Sequence, residues 1–205
     1  MLRQKLGVAH ISTGDMLRER AATGDALGLS AAELMKAGAL VPDEMVNRMV
    51  EERIDQMDCQ QGFILDGFPR TVDQASLLGE LLEARSVAAS VVYLKVDYNV
   101  IVARLIGRRH CPKCGTLYHL SSVAGAGASV VCVKDGTELV IRDDDREEVV
   151  LERLKAYERK TAPVLEFLRA KGYPVQQLDG ACGTPEEISE RIVGWMQRKR
   201  VESNA

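Results

Sequence analysis

The feature that most constrains this chain is an apolar run that ends abruptly in a turn. Residues 62–71 read Gly-Phe-Ile-Leu-Asp-Gly-Phe-Pro-Arg-Thr. Three apolar residues followed at once by Asp66 and Gly67 predict a buried strand of a parallel sheet that ends in a tight turn. Open α/β sheets bind ligands at the carboxyl ends of their strands. We therefore expect Arg70 to open the next helix and to hold a phosphate or carboxylate at this edge. An ordinary junction with a solvated arginine is the alternative.

A second junction of the same kind lies near the start of the chain. Residues 8–11 are apolar enough for a short strand, and residues 12–18 read Ser-Thr-Gly-Asp-Met-Leu-Arg. Several of these are good N-cap residues, and an amphipathic helical pattern follows them. Thr13 would lie at the carboxyl end of the strand and Arg18 one turn into the helix. Both side chains suit the same ligand, although a simple cap and a surface charge would give the same pattern.

Strand patterns alternate with helical patterns along most of the chain. Residues 90–96 have the β-branched and aromatic character of a strand, and residues 174–180 are expected to form a last short strand and turn. Asp145 followed by Glu148 resembles a capping box at a helix start, and Pro163 is expected to kink or bound that helix. The alternation predicts an α/β fold with a parallel sheet flanked by helices.

Charge and hydropathy exclude several classes of protein. The 27 basic and 30 acidic side chains leave a net charge of −3. That balance argues against nucleic acid or an anionic membrane as the partner. No apolar run approaches the roughly 18 residues of a membrane span, and no signal peptide opens the chain. We expect a cytoplasmic protein in which a few placed arginines bind phosphate.

Three of the five cysteines lie close together and have metal-ligand spacing. Cys111-x-x-Cys114 and Cys132-x-x-Asp135 form two ligand pairs separated by 17 residues. This double-pair spacing is typical of a zinc knuckle, and zinc accepts a carboxylate oxygen as fourth ligand. With no position left for water, the site is expected to be structural. His110 or His119 replacing one ligand, a metal-free loop with reduced thiols, and a thioredoxin-like Cys-Pro-Lys-Cys are the alternatives.

Five arginines fall at or beside the junctions between predicted elements. The cysteine segment is bracketed by two of them, as if by hinges. A lid with arginines at its hinges suits phosphoryl transfer, which depends on positioning, charge stabilisation and exclusion of water. The five are Arg18, Arg70, Arg108, Arg142 and Arg153.

Taken together, these motifs closely resemble the adenylate kinase family, over nearly the whole chain. The Cys/Cys/Cys/Asp lid is similar to the zinc-bearing long lid of many bacterial members. The matching motifs are residues 12–18 and 62–71, Gly-Arg-Arg at 107–109, Tyr118-His119, Arg-x-Asp-Asp at 142–145 and Arg153-Leu154.

The resemblance implies a fold and a domain organisation. The fold is a P-loop-kinase-like three-layer α/β structure with a parallel sheet between helices. Residues 1–11, 42–106 and 146–205 would form the core domain. Residues 12–41 would form a helical flap that binds the nucleoside monophosphate, and residues 107–145 a small zinc-bearing lid. Members of the family are mostly monomeric, so a monomer is expected.

The resemblance also implies a reaction and its residues. The γ-phosphoryl group of Mg-ATP is transferred reversibly to AMP to give two ADP, with no covalent nucleophile. Asp66 would be a partner of magnesium or its waters. The implied catalytic residues are Arg70, Arg108, Arg142 and Arg153. The implied AMP-binding residues are Thr13, Arg18, Ala39, Leu40, Val41, Gly67, Phe68, Pro69, Arg70, Gln74, Arg142 and Arg153. The implied ATP-binding residues are Arg108, Leu117, Tyr118 and Cys182. The implied zinc ligands are Cys111, Cys114, Cys132 and Asp135.

One departure from the family concerns the start of the chain. The family begins with a strand and a G-x-x-x-x-G-K-[ST] loop that cradles the ATP phosphates, and neither precedes residue 12 here. The strand is the central one of the family's sheet. Without it, the strands near 62–66 and 91–96 would lack their shared neighbour, so we expect the chain as printed to be unstable or inactive. A start codon assigned too late would account for this. Equal activity of proteins begun at Met1 and at the next upstream in-frame start would refute the expectation.

Other functions remain open at this point. One is a non-catalytic remnant that binds nucleotide or a protein partner through its lid. Another is a kinase for a different nucleoside monophosphate, of the UMP/CMP or GTP-AMP type. The long lid argues against the short-lid UMP/CMP forms. Gln74 suits an adenine edge because its amide both donates and accepts hydrogen bonds.

Overall fold

A computed structural model describes residues 1–120 and 130–203, with side chains described through residue 199. The predicted lid therefore includes a segment, residues 121–129, that lies outside the described residues. The chain divides into two compact units. The first unit comprises Met1–Ala32, Val41–Val96 and Tyr157–Ala205, and the second unit comprises Glu33–Leu40 and Asp97–Ala156.

Helices and strands alternate as the sequence predicts. The helices are α1 (Leu2–Leu6), α2 (Thr13–Ala22), α3 (Ala26–Lys36), α4 (Asp43–Ile54), α5 (Val72–Ala84), α6 (Tyr98–Ile106), α7 (Glu147–Ala156), α8 (Ala162–Ala170) and α9 (Pro185–Ser203), with 3₁₀ turns at Met57–Cys59 and Asp143–Asp145. The strands are β1 (Ala9–Ser12), β2 (Phe63–Asp66), β3 (Val91–Lys95), β4 (Arg108–His110), β5 (Leu117–His119) and β6 (Val175–Asp179).

The longer strands form two parallel pairs in the first unit. β1 pairs with β2, and β3 pairs with β6. This confirms the expected α/β class with parallel strands. The apolar residues of β2, however, are half-buried rather than buried, because within the described residues β2 pairs with β1 alone. The family's central strand, which would lie between the β1–β2 pair and the β3–β6 pair, stays a prediction. In the second unit, β4 pairs with β5 in antiparallel fashion.

The first unit is held together by helices packed on the strands. Ala75 of α5 packs against Val164 and Leu168 of α8, and Val91 of β3 covers this cluster. Burying side chains of this size is worth roughly 1.5–3 kcal/mol each for the larger ones. The cluster fixes the start of α5, and with it the loop that follows β2.

The long helical stretch after residue 146 is interrupted as expected. α7 passes through a π-helical turn at Tyr157–Thr161 into α8. Pro163 lies in the first turn of α8, where its missing N–H and its ring disturb the regular hydrogen bonding of the preceding turn. A widened π turn is a common way to accommodate such a disturbance.

Two local predictions are wrong. Asp145 was expected to cap a helix, but α7 begins at Glu147 and the Asp145 carboxylate binds arginines instead. The helix expected to open at Arg70 begins at Val72, with Thr71 as its N-cap. The Thr71 hydroxyl accepts a hydrogen bond from Gln74 N at 3.1 Å, which satisfies one free N–H of the first turn.

Across the described part of the chain, no helix has the length and apolar character needed to cross a membrane.

Candidate functional site

The carboxyl ends of β1 and β2 meet at one edge of the first unit. Ser12 lies opposite Asp66 in the parallel register, so the residues after them are neighbours. Thr13 is almost fully buried, and its Oγ1 donates a hydrogen bond to Gly67 O at 2.9 Å. Nε of Arg70 donates to the same carbonyl at 2.8 Å. The predicted position of both side chains at the strand ends is confirmed.

Gly67 is required at the centre of this turn. Its φ of +76° is a conformation that residues with a Cβ rarely adopt. A Cβ there would lie 2.9 Å from Thr13 Oγ1 and 3.0 Å from Arg70 Nη2. The adjoining Phe68–Pro69 peptide bond is cis, and Phe68 is buried. The hydrogen bond from Arg70 Nε to Gly67 O holds the Arg70 side chain close to the strand ends.

Two further contacts fix the surroundings of this turn. Thr161 Oγ1 donates to Arg70 O at 2.9 Å, which ties the turn to the π-helical segment. On α2, Arg18 Nη2 binds Asp15 Oδ1 at 2.7 Å. Arg18 thus lies one turn along α2 from Thr13, with its guanidinium held against a neighbouring carboxylate.

Gln74 is buried inside a network that joins the starts of α4 and α5. Only 2% of its surface is exposed. Its Oε1 accepts a hydrogen bond from Arg70 N at 2.7 Å, and its Nε2 donates to Asp43 Oδ1 at 2.8 Å. Thr71 Oγ1 donates to the other oxygen of Asp43 at 2.6 Å. The Gln74 amide is therefore held on both sides.

In the second unit, the buried carboxylate of Asp145 binds two of the predicted arginines. The Asp145 side chain is fully buried. It accepts hydrogen bonds from Arg108 Nε at 2.7 Å and Nη2 at 2.5 Å. Arg153 Nη1 lies 3.3 Å from the same carboxylate and donates to Asp144 O at 2.9 Å. Arg142 begins the same 3₁₀ turn, and its carbonyl accepts from Asp145 N at 3.0 Å.

The segment after α3 approaches Arg153 within the same unit. Gly38, two residues after α3, has φ +71°, and a Cβ there would lie 2.9 Å from Val149 O and 3.3 Å from Arg153 Cγ. Ala39, which follows, is exposed, and its N–H donates to Leu34 O at 2.9 Å. Of the other two predicted residues, Leu40 is half-buried, while Val41 is buried and belongs to the first unit.

The three clustered cysteines and Asp135 converge. One ligand atom from each of the four residues lies within 4.8 Å of all the others. Sγ of Cys114 is 3.6 Å from Sγ of Cys132, close to the roughly 3.8 Å edge of a tetrahedron with metal–sulfur bonds of about 2.3 Å. Sγ of Cys111 is 3.5 Å from both carboxylate oxygens of Asp135. This group can hold a metal ion.

Hydrogen bonds prepare the carboxylate of this group as a ligand. Thr137 N donates to Asp135 Oδ1 at 3.0 Å, and this bond, with others, holds the pKa of Asp135 well below its usual range. The carboxyl group is therefore charged at neutral pH, as a metal ligand must be. Cys111 and Cys132 are buried with Leu139 in the small core of this segment.

The two predicted ATP-binding residues of β5 have different surroundings. The Tyr118 hydroxyl lies 3.2 Å from Cys132 Sγ and accepts from Val133 N at 3.2 Å. The bond to Cys132, together with burial, raises the pKa of Tyr118 to about 12. Leu117, which is next to it, is exposed. Tyr118 thus contacts a cysteine of the candidate metal-ligand group, and the sequence did not predict this contact.

The remaining predicted residues lie at strand ends of the first unit. Asp66 is exposed, and its Oδ2 is 3.3 Å from His10 Nε2. Cys182 is exposed beyond β6, and a hydrogen bond with Asp179 raises the pKa of its thiol. Gly180 N donates to Lys95 O at 2.9 Å, which ties this loop to β3.

Sequence reasoning missed the two acidic residues that organise these groups. Asp43 binds Thr71, which is 28 residues away in the chain, and Asp145 binds Arg108, which is 37 residues away, as well as the nearer Arg153. The sequence placed Asp145 in a capping-box pattern and in the Arg-x-Asp-Asp motif at 142–145, but it did not indicate that the carboxylate binds arginines. Nothing in the sequence around Asp43 distinguishes it from a charge in the first turn of a helix.

An α/β chain that fixes arginines beside strand ends and around a buried carboxylate has the features of a phosphate-binding enzyme. Comparison with known proteins identifies the class more closely. The family model described as adenylate kinase matches residues 1–173.

Individual relatives agree with the family model. The chain is 47% identical over 161 residues to the adenylate kinase of Pseudothermotoga lettingae, covering 78% of this chain and 74% of that protein. It is 45% identical over 181 residues to the adenylate kinase of Syntrophotalea carbinolica, covering 88% and 83%. It is 41% identical over 202 residues to the adenylate kinase of Thermotoga neapolitana, covering 96% and 90%. The chain belongs to the adenylate kinase family, a family of phosphotransferases.

Proposed function

We propose that this protein transfers the γ-phosphoryl group of Mg-ATP reversibly to AMP, producing two ADP. Family membership supports the reaction. The structural observation that supports this reaction in this chain is the fixed placement of its arginines. Arg70 is held on the Gly67 carbonyl, and Arg108 and Arg153 are held on the Asp145 carboxylate. Arginines fixed in advance can stabilise spreading negative charge with little reorganisation.

We propose the following AMP-binding residues, given separately for each unit. In the first unit they are Thr13, Arg18, Val41, Gly67, Phe68, Pro69, Arg70 and Gln74. In the second unit they are Ala39, Leu40, Arg142 and Arg153. The Thr13 hydroxyl and the Arg70 guanidinium, which share one carbonyl, would orient the monophosphate. Arg18 would exchange Asp15 for a phosphate oxygen.

The ATP-binding residues that we propose are Arg108, Leu117, Tyr118 and Cys182. Arg108 would contact the transferred phosphoryl group, and the exposed Leu117 would cover the nucleotide. The Tyr118 hydroxyl is engaged beside Cys132, so its ring or backbone would make the nucleotide contact. The backbone carbonyl near Cys182 would accept a hydrogen bond from the base.

In this reaction the chain's residues bind, orient and stabilise. Arg70, Arg108, Arg142 and Arg153 would hold donor and acceptor phosphates in line and neutralise the charge that develops between them. No side chain forms a covalent intermediate. The exposed carboxylate of Asp66 is the oxygen ligand type that magnesium takes, directly or through water. Magnesium, when bound with ATP, supplies further neutralisation of phosphate charge.

We propose that the Cys111, Cys114, Cys132 and Asp135 group binds structural zinc. Three thiolates and one carboxylate at tetrahedral separations suit zinc, and they leave no position for a reacting water. Zinc would stiffen residues 107–145 as a lid, with residues 12–41 as the flap for the monophosphate. A cytoplasmic, monomeric enzyme that binds neither nucleic acid nor membrane completes the proposal.

The reaction is tested by incubating purified protein with magnesium, ATP and AMP and measuring ADP. Replacing AMP by UMP, CMP or GMP tests the acceptor, and calorimetric titration of AMP tests binding without turnover. We expect AMP to be the preferred acceptor. Preferential phosphorylation of UMP or CMP, or binding of AMP without any phosphoryl transfer, would contradict the proposal.

A further inference from the structure

Asp43, which none of the roles proposed so far includes, contacts the base-reading candidate Gln74 directly. It is the first residue of α4, and Gln74 lies 31 residues further along, on α5. The carboxylate uses one oxygen for Gln74 Nε2 and the other for Thr71 Oγ1. Both bonds, at 2.8 and 2.6 Å, are short enough to be charge-assisted.

The directions of these hydrogen bonds are fixed by chemistry. Gln74 N can only donate, so the Thr71 hydroxyl accepts from it and must send its own proton to Asp43. The Asp43 carboxylate can only accept, so it requires the N–H side of the Gln74 amide. Arg70 N can only donate, so it requires the oxygen side. Oxygen and nitrogen of a glutamine are otherwise hard to tell apart, but here one orientation alone satisfies both neighbours.

Burial makes the wrong orientation costly. With Gln74 only 2% exposed, a rotated amide would place its NH₂ against Arg70 N and its oxygen against the carboxylate. The Gln74 NH₂ would then face another donor and the Gln74 oxygen would face another acceptor. All four groups would be buried without hydrogen-bond partners. The orientation of the Gln74 amide is therefore set by Asp43 and not by the ligand.

A fixed amide discriminates between purines. These bonds leave one N–H and one oxygen lone pair of Gln74 for a ligand. Adenine offers a 6-amino donor beside an N1 acceptor, and this pair matches the amide. A 6-oxo purine offers the reverse order, an acceptor beside an N1–H donor, and would match only the rotated amide.

We propose that Asp43 is a positioning residue that sets the base specificity of the monophosphate site by locking the Gln74 amide in the orientation that accepts a 6-amino purine. This inference rests on the proposed function, in which Gln74 contacts the AMP base. Asp43 itself need not touch the nucleotide.

The test compares AMP with inosine monophosphate, which has a 6-oxo group and an N1 proton in place of the 6-amino edge. Dissociation constants are measured by calorimetry, and kcat/KM is measured where turnover occurs. For the wild-type protein we expect AMP to bind at least about tenfold more tightly. In D43N the new NH₂ group competes with the Gln74 NH₂. We therefore expect AMP binding to weaken, and the preference for AMP over inosine monophosphate to fall at least about fivefold.

Two controls separate orientation from stability. Asp73 is an exposed acid in the first turn of α5, and D73N should leave the ratio unchanged. T71V removes the helix cap but keeps Asp43 as an acceptor for Gln74. It should therefore lower the melting temperature without changing the ratio. D43S, which removes the carboxylate with a smaller side chain, replaces D43N if that variant does not fold.

These binding and stability measurements can contradict the role proposed for Asp43 in several ways. An unchanged ratio in D43N, an equal change in D73N or T71V, or a wild-type protein that binds both nucleotides equally would overturn the proposal. So would failure of both Asp43 variants to fold, because Asp43 would then be a structural residue. Absence of AMP binding and of ADP formation in the wild-type protein would instead contradict the proposed function.

Discussion

Asp145 and Arg108 form a two-pronged ion pair in which the whole carboxylate is buried. Arg108 Nε and Nη2 donate to the two oxygens at 2.7 and 2.5 Å, and the Asp145 side chain has no exposed surface. Arg153 completes the group at 3.3 Å. Arg153 Nη1 also lies 3.3 Å from Oδ2 of Asp144, whose side chain is mostly buried, so two arginines face two acidic side chains. The two carboxylates hold both guanidinium groups in fixed positions, which is the preorganisation that phosphoryl transfer requires.

Replacing Asp145 by Asn should impair both stability and catalysis. The amide keeps the shape but loses the charge and presents an NH₂ to the guanidinium of Arg108. Weakening a buried pair of this kind costs about 2–4 kcal/mol. Because Arg108 and Arg153 lose their fixed positions, we expect kcat to fall roughly tenfold to a hundredfold. Thermal unfolding and steady-state kinetics measure the two effects.

Asp143, in the same 3₁₀ turn, provides the control. Its carboxylate is largely exposed and lies 3.8 Å from Lys36 Nζ. Surface pairs of this kind contribute about 0–1 kcal/mol. D143N should therefore change stability little and leave kcat near the wild-type value. Equal losses in D143N and D145N would show that charge in the turn matters rather than the buried pair.

Replacing Gly67 by Ala should reduce activity more than its effect on the backbone alone predicts. At φ +76° a Cβ costs roughly 1–2 kcal/mol. The same Cβ would lie 2.9 Å from Thr13 Oγ1 and 3.0 Å from Arg70 Nη2 and would displace both side chains. We expect kcat/KM for AMP to fall at least about tenfold.

A substitution at Gly24 separates the effect of backbone strain from the effect of displacing the Thr13 and Arg70 side chains. Its φ of +73° is nearly the same, but a Cβ there meets no atom within 4 Å. G24A should share the loss of thermal stability and keep the activity. If G24A lost as much activity as G67A, backbone strain would account for both, and the packing of Thr13 against Arg70 would not matter.

The strand ends could be predicted from the sequence because their signals are local. In both places an apolar run ends within a few positions of the side chain, and an N-cap residue lies beside it: Ser12 next to Thr13, and Thr71 next to Arg70. The cysteine group was likewise predictable, because metal-ligand spacing is a property of nearby residues. These features depend on the order of residues and hardly on the rest of the fold.

The acidic residues that orient other side chains could not be predicted in this way. Asp145 lies 37 residues from Arg108, and Asp43 lies 28 from Thr71. Local rules assign an aspartate near a helix start to a cap or to solvent, and nothing nearby reports that Asp145 is buried. The contact between the Tyr118 hydroxyl and Cys132 could not be predicted either, because only the folded chain brings the two residues together.

Removing the proposed zinc should destabilise the segment around the cysteines. Cys111, Cys132 and Leu139 form its small core, and metal binding supplies folding free energy to sites of this kind. We expect elemental analysis to find one zinc per chain, and C132S to find almost none. The melting temperature should fall by at least about 5 °C in C132S or after chelation.

Cys182 is the matched control because it is a cysteine outside the metal-ligand group. C182S should retain zinc and its melting temperature. A wild-type protein without metal, or one whose melting temperature does not respond to chelation, would contradict the assignment of Cys111, Cys114, Cys132 and Asp135 as a zinc site.

Acid should weaken the first unit partly through Asp58. Arg53 donates to both of its carboxylate oxygens, at 2.8 and 2.7 Å, and these bonds lower the pKa of Asp58 below its ordinary value near 3.8. A carboxyl group with a lowered pKa in the folded state binds protons more readily when unfolded. Its stabilising contribution is therefore present above about pH 4 and is lost as the pH falls through the folded-state pKa.

D58N should have a lower melting temperature than the wild-type protein at pH 7, and the difference should shrink as the pH falls from 5 to about 2. E80Q, which alters an exposed acid on α5, should show no such convergence. A D58N difference that stayed constant over this range would rule out the ion pair as its cause.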